Sequence, residues 1–257
     1  MVRTCVIGCG NMGSALVRGL DKAGDHSVIA IDLDPDALAA VEDYCEETTD
    51  DLSRASEADV VFVAVKPDIV EAVLDGLDLS ADQTLVTIAA GVPTDFVEPR
   101  TDATVVRIMP NLAAETRDMA TAATGDLTDQ VREILDDVGE FAEVEEAQMD
   151  IATAVNGSGP AFVFYFIKAM TEAAIAGGMD HEEAQLLSAQ TFKGAAETVV
   201  QDERTADELI DAVCSPNGTT IEGMHVLWDS GADEALKDAV AAAERRSKEM
   251  AADFADD

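Results

Sequence analysis

The chain carries Gly8-Cys9-Gly10-Asn11-Met12-Gly13 directly after the apolar run Thr4–Ile7. This stretch matches the pattern G-x-G-x-x-G and stands between a predicted strand and an amphipathic segment over Met12–Ala23. Glycine is needed there for a tight turn, for close approach of a pyrophosphate to the backbone, and for packing of the helix on the strand. The helix N-terminus also offers free N–H groups to phosphates. The stretch therefore predicts dinucleotide binding, with an ordinary glycine-rich turn as the alternative.

Short apolar runs alternate with helical patterns over the first half of the chain. Near-continuous apolar runs are typical of strands that are buried on both faces of a sheet. We therefore predict an α/β domain over residues 1–150, with a Rossmann-like, doubly wound and largely parallel sheet. The predicted strands are Thr4–Ile7, Val28–Ile31, Val60–Val65, Leu85–Ala89, Val105–Met109 and Phe141–Val144, and the predicted helices include Met12–Ala23, Pro35–Glu46 and Val131–Val138.

Strand patterns stop after about Asp150, and long helical patterns follow. We predict an all-α C-terminal domain over residues 151–257 that forms a dimer. Its first helix is apolar nearly all the way round, because only Lys168, Thr171 and Glu172 are strongly polar in it. Such a helix must be buried. A second subunit in an intertwined homodimer would bury it, and a core position within one chain is the alternative. The predicted helices are Ala161–Gly177, Glu182–Val200, Ala206–Val213, Ile221–Ser230 and Ala232–Phe254.

Composition narrows the class of protein. The 257 residues include 53 Asp and Glu against 16 Lys and Arg, a formal net charge of −37, yet 47% of the chain is apolar. Disorder requires low hydrophobicity as well as high charge, so we expect a folded core. Nucleic acid and anionic membranes require clustered cations and are not expected as partners. With no signal-peptide pattern and no run of roughly 20 apolar residues, we expect a cytoplasmic protein. Because salt screens self-repulsion, a salt-loaded, halophilic interior is our hypothesis.

The cysteines and histidines restrict the chemistry. Cys5, Cys9, Cys45 and Cys214 show neither C-x-x-C spacing nor the density of a disulfide scaffold, so we expect structural thiols and no metal site. The histidines, which are His26, His181 and His225, make no obvious relay with Arg and Asp. A hydroxyacid dehydrogenase normally needs such a base. Reduction of a C=N bond requires less, because a protonated imine is already electrophilic.

Three predicted strand ends carry candidate cofactor contacts. Asp32 lies 24 residues after Gly8, near the spacing of the acid that binds the adenosine ribose, and it would favour NADH over NADPH by repelling a 2′-phosphate. The alternative is one more surface carboxylate. Two further strands run into Lys66-Pro67 and into Ala90-Gly91, which we expect to face the ribose and the nicotinamide.

Two loops of the helical half have unusual sequences. In Asn156-Gly157-Ser158-Gly159-Pro160, proline suits the first turn of the next helix. In the second loop, Cys214–Glu222, Thr219 and Glu222 have the spacing of a capping box. Thr220 is then free, and its hydroxyl and the N–H groups of the helix start could hold a small carboxylate and donate a proton beside it.

These stretches together resemble one family. Ile7–Gly13, Ala64–Pro67, Ile88–Val92, Met109–Asn111, Gly157–Val163 and Cys214–Glu222 are similar, in this order and over nearly the whole chain, to the pyrroline-5-carboxylate reductases. The resemblance implies an NAD(P)H-dependent imine reductase that converts 1-pyrroline-5-carboxylate to L-proline, the last step of proline biosynthesis. It also implies pairing through the helical domains and further assembly into rings. The choice between NADH and NADPH stays open, because Asp32 favours NADH whereas the family is more often linked with NADPH.

The resemblance assigns site residues. The catalytic residue is Thr220, whose hydroxyl would lie near the ring nitrogen. The substrate carboxylate would be received by Ser215, Asn217, Gly218, Thr219 and Thr220. The cofactor-binding residues are Gly8, Cys9, Gly10, Asn11, Met12, Gly13, Asp32, Val65, Lys66, Pro67, Ala89, Ala90, Gly91, Asn111 and Glu203.

The sequence departs from the family in three places. Leu112-Ala113 replaces the usual Thr-Pro, Asn217 replaces a glycine, and Asn156 stands where serine or a smaller residue is common. Asparagine tolerates positive φ, so the turn at Asn217 can survive. The motifs also bear on two alternatives. A β-hydroxyacid dehydrogenase would resemble G-x-G-x-x-x-K-x-x-x-N, but Lys168 is followed by Glu172. A non-catalytic dinucleotide-binding regulator is disfavoured by the intact Thr219-Thr220 loop.

Overall fold

The computed structural model describes residues 2–252 and 254. Its centre is an eight-stranded sheet with the order β3-β2-β1-β4-β5-β6-β7-β8. Neighbouring strands are parallel except for the antiparallel pair β6 and β7. The predicted Rossmann-like, doubly wound sheet is confirmed. The strands are β1 Val2–Ile7, β2 His26–Ile31, β3 Glu47–Thr49, β4 Val60–Val63, β5 Thr84–Thr87, β6 Thr104–Pro110, β7 Met119–Gly125 and β8 Gly139–Glu143.

Both faces of the sheet are buried, which explains the continuous apolar runs. Along β1, Val6 belongs to the core on one face, while Cys5 and Ile7 belong to the core on the other. Leu16 and Leu20 of the first helix pack into the same core as Val6. The helices and turns of this part are α1 Asn11–Ala23, α2 Pro35–Ala39, α3 Pro67–Asp75, α4 Thr94–Val97, α5 Asp129–Val138, α6 Met149–Ala152 and a π-helical turn at Thr153–Gly157.

The sequence analysis did not predict two of the strands, β3 and β7, and it predicted one helix that is longer than the observed one. β7 is rich in alanine, which has low strand propensity, and β3 is a three-residue edge strand of polar residues. The predicted helix Pro35–Glu46 is wrong beyond Ala39, because Val41 N–H turns to the carbonyl of Leu38 and a 3₁₀ turn follows at Glu42–Tyr44. Neither strand has the continuous apolar run on which the prediction depended.

The helical half contains the five predicted helices. They are α7 Gly159–Ala176, α8 His181–Gln201, α9 Ala206–Val213, α10 Thr219–Ser230 and α11 Ala232–Ala252. Backbone contacts group the residues up to Ser158 with those from Val240 onward, and they group Gly159–Ala239 as a second unit. The end of α11 is tied to the first unit, since Ser247 Oγ donates a 2.6 Å hydrogen bond to Asp150. The predicted domain division at residue 150 stays a prediction.

Helix α7 is not buried within a single chain. Phe164 is 67% exposed and Tyr165 is 71% exposed, and within this helix only Thr171 is buried. The alternative of an intramolecular core helix is therefore wrong: the other helices of its unit leave these aromatic side chains uncovered.

The described residues form neither a membrane-spanning helix nor a cluster of metal ligands. No helix within 2–252 and 254 is both long and apolar enough to cross a bilayer. The same ranges hold no group of three or more His, Cys, Asp or Glu arranged to bind a metal ion.

Candidate active site

The glycine-rich turn has the geometry that its sequence predicts. Gly8 has φ +95°, and a Cβ atom there would lie 2.7 Å from the carbonyl oxygen of Ala64. A Cβ atom at Gly13 would lie 1.8 Å from the carbonyl oxygen of Gly8, so α1 could not approach β1 as closely with any side chain. At Gly10, by contrast, no described heavy atom lies within 4 Å of such a Cβ. The turn is closely packed at its two outer glycines and open at the middle one, where a pyrophosphate would approach.

The N-terminus of α1 faces this opening without a side-chain cap. Gly10 is the N-cap residue, and its carbonyl accepts the first helical hydrogen bond, from Ser14 N–H. The first turn contains no acidic residue. The N–H groups of the first turn and the positive end of the helix dipole are therefore available to an anion.

Asp32 is joined to the same turn. Its Oδ2 accepts a 2.6 Å hydrogen bond from Cys9 N–H, and its Oδ1 accepts a 2.9 Å bond from Asp34 N–H. Both oxygens are held at the carboxyl end of β2. Burial, and secondarily the charges of Asp32 and Cys45, raise the pKa of the Cys9 thiol to about 12. Cys9 is therefore a neutral thiol at physiological pH.

The next two strand ends also lie along this edge. Lys66 is exposed and is the N-cap residue of α3, with Pro67 at the first helical position. After β5, Gly91 has φ +80°, and a Cβ atom there would lie 3.1 Å from atoms of Met250 and Ala251 on α11. Because Gly91 and α11 are far apart in the chain, no local pattern predicts this contact.

Asn111 follows β6 and is held by its own side chain. Its Oδ1 accepts hydrogen bonds from Ala113 N–H at 3.1 Å and from Ala120 N–H at 3.3 Å. Its backbone N–H donates to the carbonyl of Ala120 at 3.1 Å. The side-chain oxygen is thus used to fix the turn.

The first unit therefore brings together most of the predicted cofactor residues. They follow β1, β2, β4, β5 and β6, and the carboxyl ends of parallel strands share one edge of the sheet. The order of the strands reverses between β1 and β4, which is the position where open α/β sheets bind ligands. Sequence reasoning missed the role of Asn156, whose amide donates to the carbonyls of Met109 and Ala120. Because these contacts join distant parts of the chain, no local pattern could have revealed them.

The second unit carries the predicted substrate loop. Gly218 N–H donates a 2.9 Å hydrogen bond to the carbonyl of Ser215, and Asn217 between them has φ +59°. Asparagine therefore adopts the left-handed conformation expected at the position where glycine is usual. The predicted capping box at Thr219 and Glu222 is wrong, because α10 begins at Thr219 and its N-cap residue is Gly218, which has no side chain.

Thr220 borders a cavity of about 450 Å³ between α8, α9 and α10. Arg204 and Cys214 also line this cavity. Glu203 is exposed in the connection between α8 and α9. Its neighbour Asp202 accepts hydrogen bonds from Arg204, which lower the pKa of that carboxyl to about 2. Thr220 is thus an exposed residue at the border of an open groove. The structure gives Glu203 no partner among the described residues that would define its role.

Comparison with known families places both halves of the chain. Residues 146–250 match the family described as pyrroline-5-carboxylate reductase dimerisation. Residues 3–91 match the family described as NADP oxidoreductase, coenzyme F420-dependent.

Full-length relatives agree with these matches. A pyrroline-5-carboxylate reductase from Methanosarcina acetivorans is 38% identical, over 95% of this chain and 96% of the relative. The solved structure of a pyrroline-5-carboxylate reductase from Coxiella burnetii has a TM-score of 0.86 and 32% identity, over 97% of this chain and 98% of its own. A structure of the Plasmodium falciparum reductase with NADP bound has a TM-score of 0.85 and 26% identity, with coverage of 97% and 98%.

Proposed function

The chain belongs to the pyrroline-5-carboxylate reductase family, and we propose on that premise how its residues perform the reduction of 1-pyrroline-5-carboxylate to L-proline. It is an NAD(P)H-dependent reductase of proline biosynthesis. The observation that carries the proposal is the glycine-rich turn, which is closed at Gly8 and Gly13 and open at Gly10.

The first unit would hold the cofactor. Asn11, Met12 and Gly13 would present their N–H groups to the pyrophosphate, and the turns at Val65–Pro67 and Ala89–Gly91 would line the ribose and the nicotinamide. Asn111 would lie beside the nicotinamide. Bound NAD(P)H supplies the hydride. The assignment of Glu203 to the cofactor has no support beyond the resemblance.

The second unit would hold the substrate. Gly218 leaves the first N–H groups of α10 without a side-chain cap, so these amides can receive the carboxylate of the pyrroline ring. The Thr220 hydroxyl would then donate a hydrogen bond or a proton to the ring nitrogen. Ser215 and Asn217 form the turn that aims the amides. A protonated imine needs no strong base, which agrees with the absence of a histidine relay among the residues named for this site.

We propose that the cofactor is NADH. Asp32 is held by two backbone N–H groups and cannot turn away from the ribose without losing both hydrogen bonds. The charge of Asp32 would then lie close to a 2′-phosphate and repel it. High salt weakens this preference for NADH, because it screens the repulsion between the carboxylate and a 2′-phosphate.

We propose a homodimer formed through the second unit, with a larger ring built from dimers. The support is the exposed apolar surface: besides Phe164 and Tyr165, Val200 is 72% exposed and Trp228 is 54% exposed in a single chain. Monomers rarely leave so much apolar surface uncovered. In light scattering, Phe164→Glu should give monomers, whereas Lys168→Ala on the same helix should not. A monomeric wild-type protein at every concentration would contradict the proposal.

We propose a salt-loaded cytoplasm as the location of this enzyme. The support is the net charge of −37, since ions at high concentration would screen the repulsion between carboxylates. Neither a nucleic acid nor a membrane surface is proposed as a partner.

One assay tests the function. The purified chain is mixed with 1-pyrroline-5-carboxylate and either NADH or NADPH at molar KCl, and both cofactor absorbance and L-proline are followed. Proline should form in step with cofactor oxidation. In a second mixture that contains NAD+ or NADP+, oxidation of 3-hydroxy acids would support the dehydrogenase alternative. Against that alternative, Lys168 pairs with Glu172 at 3.6 Å on an exposed surface of α7. Cofactor binding without turnover of either substrate would support a regulator.

A further inference from the structure

Asn156 connects the π-helical turn to the end of β6. Its Nδ2 donates a 2.5 Å hydrogen bond to the carbonyl of Met109 and a 3.2 Å bond to the carbonyl of Ala120. The turn that carries it, Thr153–Gly157, is the one π-helical turn in the described part of the chain. Such turns are frequent at functional sites.

The orientation of the Asn156 amide follows from its partners. Both partners are carbonyl oxygens, which only accept hydrogen bonds, so Nδ2 and not Oδ1 must face them. Oδ1 is buried and has no donor among residues 2–252 and 254. A buried carbonyl oxygen without a donor is unfavourable. The two hydrogen bonds from Nδ2 to the carbonyls therefore have to offset the unfavourable burial of Oδ1.

The backbone of Ala120 also holds Asn111. The carbonyl of Ala120 accepts from Asn111 N–H as well as from Asn156, and Ala120 N–H donates to Asn111 Oδ1. Gly157 lies beside Met109, since a Cβ atom at Gly157 would be 3.8 Å from the Met109 sulfur. The segment Met109–Asn111 is thus fixed from β7 and from the π-helical turn.

We propose that Asn156 is a positioning residue for the nicotinamide end of the cofactor site, acting through Met109 and Asn111. The inference rests on the proposed function, in which Asn111 lies beside the nicotinamide. Independent support comes from the sheet: β6 lies on the opposite side of the switch point between β1 and β4 from β2, where Asp32 would meet the adenosine ribose. The departure from serine at this position, together with Leu112-Ala113 in place of the rigid Thr-Pro, fits a second anchor for this turn.

The test separates the two ends of the dinucleotide. Calorimetry at molar KCl compares the dissociation constants of NADH and of ADP-ribose, which lacks the nicotinamide, for the wild type, Asn156→Asp and Asn156→Ser. Asn156→Asp places a carboxylate against two carbonyls and should weaken NADH binding about tenfold. ADP-ribose binding should stay within about twofold, because Asp32 and the glycine-rich turn are unchanged. Gln201→Glu, which adds the same charge at an exposed position, is the control.

Each other outcome contradicts the inference. Unchanged NADH binding in both variants would show that Asn156 positions nothing at the site. Equal weakening of NADH and ADP-ribose would show a general structural role. If Asn156→Asp does not fold, the two dissociation constants are compared between the wild type and Asn156→Ser, which keeps one donor on a shorter side chain. A wild-type chain that binds neither ligand would overturn the proposed function itself, which distinguishes that failure from the failure of Asn156 alone.

Discussion

The backbone N–H of Cys9 donates a 2.6 Å hydrogen bond to Oδ2 of Asp32, which ties the glycine-rich turn to the end of β2. Asp34 N–H holds the other oxygen. Each carboxylate oxygen keeps a lone pair for a ribose hydroxyl, because an ionised carboxylate has about four acceptor sites. The carboxylate is thus oriented by the chain itself, and under the proposed function its charge would lie where NADH and NADPH differ.

Replacement of Asp32 should change the choice of cofactor. In Asp32→Ser, we expect the ratio of kcat/KM for NADH to that for NADPH to fall about tenfold, since one repulsive charge near the 2′-phosphate is removed. The measurement is steady-state kinetics with both cofactors at molar KCl. Asp36→Ser, which changes a nearby carboxylate that does not bond the turn, is the control. An unchanged ratio in Asp32→Ser, or an equal change in Asp36→Ser, would contradict the assignment.

The sequence allowed prediction of those features that local patterns encode. The continuous apolar runs predicted five of the buried strands, because a strand that is buried on both faces has apolar residues at successive positions. The spacing of the glycines predicted the turn after β1. β7 was missed because its alanines carry little strand preference. Asn156 and its partner Met109 are 47 positions apart, so only the folded chain reveals their contact. For α7 the sequence predicted an apolar surface that needs a cover, and the folded chain shows that the helices of its own unit leave it exposed.

Thr220 should be required for turnover and not for cofactor binding. In Thr220→Val, which keeps the branched shape and removes the hydroxyl, we expect kcat to fall about a hundredfold, within the range for a lost proton donor. NADH binding, measured by fluorescence, should be unchanged. Thr191→Val removes a hydroxyl that bonds only the Leu187 carbonyl within α8, and it should leave kcat unchanged. A normal kcat in Thr220→Val would remove this hydroxyl from the mechanism.

The ion pair between Arg107 and Glu146 should be important for stability. Arg107 on β6 is 3% exposed, and its Nε and Nη2 are buried without acceptors among the described residues. Removal of its partner in Glu146→Ala would leave a buried charge uncompensated. We expect a loss of about 2 kcal/mol in the free energy of unfolding, below the range for fully buried pairs because Glu146 is partly exposed. Urea unfolding at molar KCl is the measurement.

A surface pair serves as the control for this prediction. Glu234 pairs with Lys237 on α11, and both side chains are largely exposed. Exposed pairs contribute little, so Glu234→Ala should leave the unfolding curve nearly unchanged. Equal effects of the two substitutions would show that burial of Arg107 does not matter.

Stability should fall as the pH rises above 9, in part because of Cys9. Its pKa is raised from 9.0 to about 12 by burial, with the charge of Asp32 as a lesser cause. Below pH 9 the thiol is protonated in both states, so its contribution to stability is fully present there. Between pH 9 and about 12 the unfolded state loses the proton and the native state keeps it, at up to about 1.4 kcal/mol per pH unit.

The prediction is measured with urea unfolding between pH 8 and 10, where few lysines titrate. Cys9→Ala should show a smaller decline than the wild type. Cys214→Ala, at a half-buried position in the second unit, provides the matched control. A decline of the same steepness in Cys9→Ala and in the wild type would exclude Cys9 as a cause.

Salt should stabilise the chain strongly. With a net charge of −37, native carboxylates repel one another, and the Debye length falls from about 10 Å at 0.1 M to about 3 Å at 1 M salt. We expect the urea midpoint to rise between 0.1 M and molar KCl.

Asp75, Asp78 and Asp82 are exposed and close in sequence, so the triple change to Asn should raise the midpoint at low salt and reduce its dependence on KCl. Sucrose stabilises without screening charges and should affect both proteins equally. A wild-type midpoint that does not rise with KCl would contradict the halophilic hypothesis, and an equal KCl response in the triple variant would assign the effect to something other than these charges.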